Sequence, residues 1–513
     1  MLTVELIRRG ARQFPQRPAI LFADRSLTFA EVDELSNRFA RVLARHGIGR
    51  GTAVALLVNN GLYSIPLDFA CVKAGAARTP LNARLSLDEH ERMLREVGAR
   101  LLVYSPDLAE RAEALAARLP ELPMLSVGSV RPKGDLLAEA ASVSADDPQV
   151  PAEPDDVILT VYTSGTTGRL KAAQHTQASY AAICLNILTN FPDIGPDDVM
   201  LHAASLIHAS GTFVLPYWIR GGAAAVLARF DPGEYLAAIG HWRATAANLV
   251  PTMLTMLFDY AGVERVDVSS LRTVFYGASP MPLPIIQRGL ALWGPRFVQY
   301  YGQTEAALFI TILSKEDHVC PGAERRLLSC GRPAVDAEVR LVDEAGYDVA
   351  PGASGEIAVR APFTMAGYFN APDLNAATLM PGGWVRTRDV GRFDEAGYLY
   401  LVDRTSDMIV TGGYNVYPRE VEDALMAHPA VYECAVVGAP HEKWVEAVTA
   451  FVVLRPGVRV EEDGLIEFVR GQLASYKVPK SVRFIDQIPK SPVGKVLRRA
   501  LRDPLWEGRE RRI

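Results

Sequence analysis

Short apolar runs alternate with longer segments of helical period along most of the chain. Residues 55–58, 101–104 and 157–161 are runs of four or five largely apolar residues, the length and texture of strands buried on both faces. Residues 35–43 and 87–97 space their apolar side chains three and four apart, as a helix with one buried face does. Further strands are predicted at 199–203, 223–227, 247–250, 273–276 and 297–300, each followed by Gly, Pro, Asp or Ser. This alternation predicts an α/β fold. From about residue 330 the pattern changes to short strands (338–342, 356–359, 398–402) between turns such as Asp343-Glu344-Ala345-Gly346 and Asp394-Glu395-Ala396-Gly397, which predicts a β-rich appendage. Beyond Asp403-Arg404 the pattern predicts a smaller α+β unit, with strands at 408–411, 434–437 and 448–454 and helices at 418–426 and 461–473. About 110 residues suffice for such a unit to fold by itself. The polar, proline-containing stretch 142–154 reads as a surface loop.

The 513 residues are 49% hydrophobic and 22% charged, a folded and not a disordered or fibrous composition. A net charge of −5 without long single-sign blocks disfavours a nucleic-acid partner. The five cysteines are far apart with no CxxC, which predicts a reducing, cytoplasmic setting. Arg8, Arg9 and Arg12 interrupt the place where a signal peptide has its apolar core, and no stretch reaches the ~20 apolar residues of a spanning helix, so no membrane insertion is expected. Only nine of the 54 basic residues are lysine, which makes each lysine informative.

The segment Tyr162-Thr163-Ser164-Gly165-Thr166-Thr167-Gly168-Arg169-Leu170-Lys171 follows a predicted strand directly. Glycines let backbone N–H groups turn toward an anion, hydroxyls donate to phosphate oxygens, and the lysine adds a positive charge. Leu170 stands where the GxxxxGK spacing needs glycine, so this is not a P-loop. The alternative is a surface turn of small polar residues. Tyr301-Gly302-Gln303-Thr304-Glu305 falls at the carboxyl end of a strand, where α/β ligand sites gather; its ring can stack on a base, Thr304 can reach a phosphate and Glu305 can hold Mg²⁺. Taken alone, it reads better as a helix start capped by Thr304. His208, in an apolar loop of small residues, reads by itself as a structural histidine. Lys490 and Lys495 flank a Ser-Pro-Val-Gly turn that can present an ammonium at its tip, and spacing does not choose between them. No HExxH, zinc-spaced Cys/His cluster, GxSxG or GxGxxG is present.

Taken together, these motifs resemble the AMP-forming acyl-CoA synthetase and adenylating-enzyme superfamily. They appear in that family's order: residues 162–168 with Lys171, His208, Tyr276-Gly277-Ala278-Ser279, residues 301–305, Trp384 with Asp389, Asp403-Arg404, residues 411–415 with Pro418 and Glu420, and Gly494-Lys495. The resemblance implies a large multi-subdomain α/β domain over 1–402, a hinge at 403–406 with Arg404 and Ser406, and a small mobile α+β domain over 407–513 carrying the catalytic lysine. It implies that Thr163, Ser164, Gly165, Thr166, Thr167, Gly168 and Lys171 handle the ATP β and γ phosphates. Gly277, Ala278 and Tyr301 would hold adenine, with Ser279, Gly302 and Gln303 also among the ATP- or AMP-binding residues; Thr304 would meet the α-phosphate, Glu305 would hold Mg²⁺, Asp389 would meet the ribose hydroxyls and Arg404 the ribose and phosphate side. Lys495 would bridge the acid carboxylate and the α-phosphate, and His208, Thr304 and Glu305 complete the expected catalytic set. Gly412, Gly413 and Tyr414 would line the passage for CoA after the small domain rotates. The expected acid pocket is His208, Ala209, Ser210, Thr212, Val250, Met253, Gly277, Ala278, Tyr300, Gly302, Ala306 and Ala307.

Departures from the family pattern are Leu170 for Pro, Arg388 for the Gly before Asp389, and Ser406 for the hinge Asp or Lys. The expected pocket wall contains no Asp for an α-ammonium and no Arg for a second carboxylate, so the resemblance implies a hydrophobic acid, aryl or medium-chain fatty, with aryl favoured. The implied activity is acid–CoA ligation through acyl-AMP, with ATP, CoA and Mg²⁺. The alternatives are delivery of the acyl group to a separate carrier protein and a nucleotide-binding regulatory protein without turnover. A homodimer is the default assembly. The Lys495→Ala variant is expected to lose acid-dependent pyrophosphate exchange by orders of magnitude while still converting preformed acyl-AMP and CoA to thioester; unchanged exchange would shift the role to Lys490.

Overall fold

The computed structural model describes residues 1–129, 134–164, 170–207, 209–279, 281–404, 407–411, 414–441, 444–490 and 496–507. Among them the strands form four sheets. In a seven-stranded sheet, Val157–Ser164, Ala77–Pro80, Ala53–Leu57, Leu101–Tyr104 and Met124–Ser126 run parallel to their neighbours. Leu170–Thr176 pairs antiparallel with Val157–Ser164, and Gly367–Tyr368 adds antiparallel at that edge. In a nine-stranded sheet the parallel centre is Pro18–Phe22, Ala223–Val226, Val199–His202, Ala246–Leu249, Thr273–Gly277 and Phe297–Gln303. Antiparallel strands Ala306–Leu313 and Arg332–Pro333 finish one edge, and Arg25–Thr28 the other. The β-rich region is an antiparallel five-stranded sheet built around Gly355–Arg360, Trp384–Phe393 and Leu399–Arg404.

One apolar core joins these three sheets, with Ile158 from the first, Phe275 and Val298 from the second, and Ile357 and Val385 from the third. The strands are alanine-, valine- and leucine-rich because helices cover their faces, leaving no polar side to alternate with. Residues 407–507 have a core of their own, in which Ile409, Val421, Val436, Val448, Leu465 and Val482 are buried together between the fourth sheet and the helices Pro418–Met426 and Glu462–Arg470. No described helix is long and apolar enough to cross a membrane.

The strand expectations hold closely, with one correction at the site. Phe297–Gln303 continues past residue 300, and the chain after Glu305 is the strand Ala306–Leu313, not a helix capped by Thr304. The pairing register shifts between Tyr301 and Gln303, and Thr304-Glu305 forms the tip. Gly302 permits this: a Cβ there would lie 2.0 Å from the Leu308 carbonyl oxygen. Gly302→Ala is expected to cost roughly 2–3 kcal/mol, read as a lowered urea midpoint at unchanged slope. Gly240→Ala, in the helix Pro232–His241 with nothing within 4 Å of the new Cβ, is expected to gain about 0.5–1 kcal/mol.

Candidate active site

Three stretches remote in sequence meet where the three large sheets adjoin. The first is the hairpin Val157–Ser164 and Leu170–Thr176, in which Thr163 is opposite Lys171 and Ser164 opposite Leu170. Gly165, Thr166, Thr167 and Gly168 lie outside the described residues. The Lys171 ammonium stands 5.8 Å from the centroid of the Tyr368 ring, on the strand that pairs with its own.

The second is the tip at Thr304-Glu305. His175 Nε2–H donates to the Thr304 carbonyl at 2.7 Å, and Ser179 Oγ meets its Nδ1 at 3.3 Å. A carbonyl only accepts, so the imidazole is the Nε2–H tautomer. Burial pushes its pKa down to about 4, and the Arg78 charge acts in the same direction. Glu305 is 9% exposed. Its Oε1 accepts from the Tyr368 hydroxyl at 2.6 Å, and its backbone carbonyl accepts from Met365 N–H at 2.8 Å.

The third is Thr387-Arg388-Asp389 on Trp384–Phe393. The Tyr301 hydroxyl donates to Asp389 Oδ2 at 2.8 Å, and Gln303 Nε2 donates to the Thr387 carbonyl at 3.1 Å. Burial, followed by the Asp389 charge, raises the Tyr301 pKa well above its ordinary value, so the phenol stays a donor. Arg388 occupies the left-handed region at φ 64° although it has a side chain. Its backbone N–H donates to Glu356 Oε1 at 3.0 Å and its guanidinium to the Ala377 carbonyl at 2.8 Å, which hold a conformation glycine would adopt more easily. Arg404 is opposite Asp389 in the strand register.

Tyr276-Gly277-Ala278-Ser279 ends the strand Thr273–Gly277 beside this junction. A Cβ at Gly277 would lie 2.4 Å from the Tyr300 carbonyl oxygen, and Ala278 has φ 66°. The Tyr276 hydroxyl donates to His318 Nε2 at 2.9 Å while His318 Nδ1–H donates to the Ser314 carbonyl at 2.6 Å. His318, like His175, carries no sequence signal: each is a single imidazole with one local partner and one partner from a distant part of the chain.

Of the expected acid pocket, Ser210, Met253, Tyr300 and Ala306 are buried, and Ala209, Thr212, Val250, Gly302 and Ala307 are partly exposed. The Tyr300 hydroxyl meets Asn248 Nδ2 at 3.1 Å, and its ring lies 5.4 Å from Phe309 and 6.3 Å from Phe213. The Ser210 hydroxyl meets His202 Nδ1 at 2.8 Å. Asn248, His202 and Phe213, the partners of Tyr300 and Ser210, lie in no motif and carry no sequence signal. His208 lies outside the described residues.

In the smaller unit, Lys495, Ser406, Gly412 and Gly413 lie outside the described residues, and Tyr414 pairs with Thr411. Lys490 is in an ion pair with Glu433 at 2.7 Å, so its ammonium already has an anionic partner. Arg498 binds Glu422 through two nitrogens, at 2.7 and 3.1 Å, and Asp407 at 3.3 Å. Among the described residues no three His, Cys, Asp or Glu side chains gather as a metal cage. A lone carboxylate such as Glu305, beside groups suited to phosphate, fits a hard cation shared with phosphate oxygens, as Mg²⁺ is usually held, and not a caged transition metal.

The family described as AMP-binding enzyme matches residues 7–369, and its C-terminal domain matches residues 420–495. The chain is 39% identical to the medium/long-chain-fatty-acid–CoA ligase FadD8 of Mycobacterium tuberculosis, over 99% of this chain and 91% of that protein. It is also 39% identical to a feruloyl-CoA synthase of an Amycolatopsis species, over 96% of this chain and 97% of that one. The solved structure of the amide bond synthetase McbA from Marinactinospora thermotolerans superposes with a TM-score of 0.89 at 32% identity, covering 97% of this chain and 99% of that chain.

Burial holds His175 neutral in the fold down to about pH 4 and His202 down to about pH 3. An exposed imidazole in the unfolded chain takes up its proton below about pH 6.5. The unfolded chain therefore binds more protons below that point, so stability is complete above it and falls on acidification toward pH 4. Each histidine is expected to contribute up to ~1.4 kcal/mol per pH unit to that loss, and His202→Asn to reduce the slope, as read from urea unfolding between pH 5 and pH 7.

Proposed function

The chain belongs to the AMP-forming acyl-CoA synthetase superfamily and is an AMP-forming acid–CoA ligase; on that premise we propose that it activates a hydrophobic, preferentially aryl, carboxylic acid. The observation carrying the site reading is the convergence of Lys171, Glu305 and Asp389, which two buried tyrosines link across three sheets. In this reading the acid carboxylate attacks the α-phosphorus of ATP, forming acyl-AMP and releasing pyrophosphate. Lys171 and the hydroxyls of the 163–168 segment hold the β and γ phosphates, Thr304 the α-phosphate, and Asp389 the ribose. Gly277, Ala278 and Tyr301 form the adenine side. Mg²⁺ at Glu305 would supply positive charge to the phosphate oxygens. No general base is required, since the nucleophile is already a carboxylate. Lys495 neutralises the extra charge at phosphorus, and the Lys490–Glu433 pair favours that assignment over Lys490.

For the second half-reaction, residues 403–406 act as a hinge between 1–402 and 407–513, and residues 411–414 approach the site. CoA thiolate then attacks acyl-AMP and AMP departs. The separate core of the smaller unit supports its moving as one body. Arg498, three residues after Lys495, binds Asp407 just past the hinge, so hinge and lysine segment would move together.

Tyr300 favours the aryl acid. Its ring, packed against Phe309 and Phe213 and tied to Asn248, occupies space that a long acyl channel through these loops would need. Incubation with ATP, Mg²⁺ and a panel of acids, with and without CoA, tests the proposal through AMP release and thioester formation. Benzoic and cinnamic acids are expected to give thioester with kcat/KM at least tenfold above C12–C16 straight-chain acids. The reverse order overturns the aryl assignment, and acyl-AMP that accumulates in the presence of CoA indicates a carrier protein or amine as acceptor.

A further inference from the structure

Residues 364–369 come from the β-rich region yet form a strap across the strand Leu170–Thr176 and the tip at Thr304-Glu305. Thr364 bridges to Ala306, Met365 N–H donates to the Glu305 carbonyl, and Ala366 N–H donates to the Gln174 carbonyl. Gly367 and Tyr368 then pair with Gln174 and Ala173, and Phe369 N–H donates to the Ala172 carbonyl. The Asn375 side chain fixes the far end, accepting from Tyr368 N–H at 2.7 Å and donating to the Tyr368 carbonyl at 2.9 Å. Tyr368 is thereby anchored on both sides of its Cα, and its side chain is 6% exposed.

That side chain meets two groups of opposite charge. Its hydroxyl donates to Glu305 Oε1 at 2.6 Å, and its ring lies beneath the Lys171 ammonium at 5.8 Å. A buried carboxylate needs donors, and a phenol supplies one without adding charge. Among the described residues Glu305 Oε2 accepts no hydrogen bond. One oxygen is thus engaged and oriented, and the other is left to a ligand. The electron-rich ring face attracts the ammonium without neutralising it, as a carboxylate would.

We propose that Tyr368 is a positioning residue that presents one carboxylate oxygen of Glu305 to the nucleotide-bound divalent cation and holds Lys171 on its ring, so that these two opposite charges do not pair with each other. The inference rests on the adenylation reading of the site.

Tyr368→Phe deletes the hydroxyl and keeps the ring. Mn²⁺ binding is measured by electron paramagnetic resonance on the full chain with α,β-methylene-ATP, beside calorimetric binding of the analogue without metal. Tyr368→Phe is expected to weaken Mn²⁺ binding about tenfold, leave metal-free analogue binding within about twofold, and raise the Mg²⁺ needed for half-maximal pyrophosphate exchange by a similar factor. Tyr368→Leu, which also removes the ring, is expected to weaken metal-free analogue binding in addition. Unchanged Mn²⁺ affinity in Tyr368→Phe, with or without a lower melting temperature, overturns the proposal, as does equal analogue affinity in the Phe and Leu variants. Glu305→Gln separates the two levels: if it too leaves Mn²⁺ affinity unchanged, the metal role of Glu305 fails and not merely that of Tyr368.

Discussion

Two buried carboxylates, Glu305 and Asp389, each held by a tyrosine hydroxyl, set the terms for the junction around them. A carboxylate removed from water must be met by donors, or the chain is destabilised by several kcal/mol. Here the donors come from different sheets: Tyr301 reaches from the nine-stranded sheet to Asp389 in the antiparallel one, and Tyr368 from the edge of the seven-stranded sheet to Glu305 at the tip. The same two bonds therefore satisfy the buried charge and fix how the three sheets meet. Phenols suit the purpose because burial keeps them protonated, so they orient the anions without cancelling the charge that a cation or a ribose would use.

The backbone around these pairs is shaped by close approach. Gly302 and Gly277 sit where a Cβ would run into a carbonyl oxygen of the neighbouring strand, which lets those strands approach closely. Ala278 and Arg388 adopt left-handed conformations without being glycine. In Arg388 the strain is offset by bonds to Glu356 and Ala377, and its side chain ties the turn before Asp389 to the preceding helix, Pro372–Thr378. Replacing the family's glycine by arginine thus preserves the turn by a different physical route.

Separation of the cores suits the two stages proposed above. In the large unit one apolar cluster spans three sheets, which favours a rigid frame. The smaller unit has its own core and its own charged clamp, Arg498 with Glu422 and Asp407. A body that can move as a whole can carry a lysine to the site for adenylation and withdraw it for thioester formation, which is the arrangement proposed above.

Local pattern determined much about this protein. The apolar runs located the strands, and the change of texture near residue 330 located the β-rich region, because each strand's burial is written in its own side chains. Motifs with fixed spacing picked out Lys171, Tyr301 and Glu305, since turns and strand ends constrain the residues that follow one another along the chain, and the family resemblance added Asp389. Sequence did not reveal Tyr368, His175, His318 or Asn248, single residues with no motif, each with a partner 42 to 129 positions away. It also favoured a helix after Thr304 when that pentapeptide was taken alone, where the chain forms a strand, because a cap signal is local and the pairing with Phe297–Gln303 is not. Which residue types handle the chemistry was decided along the chain; which oxygen of Glu305 is held, and by what, was decided only where strands distant in sequence were packed into one core.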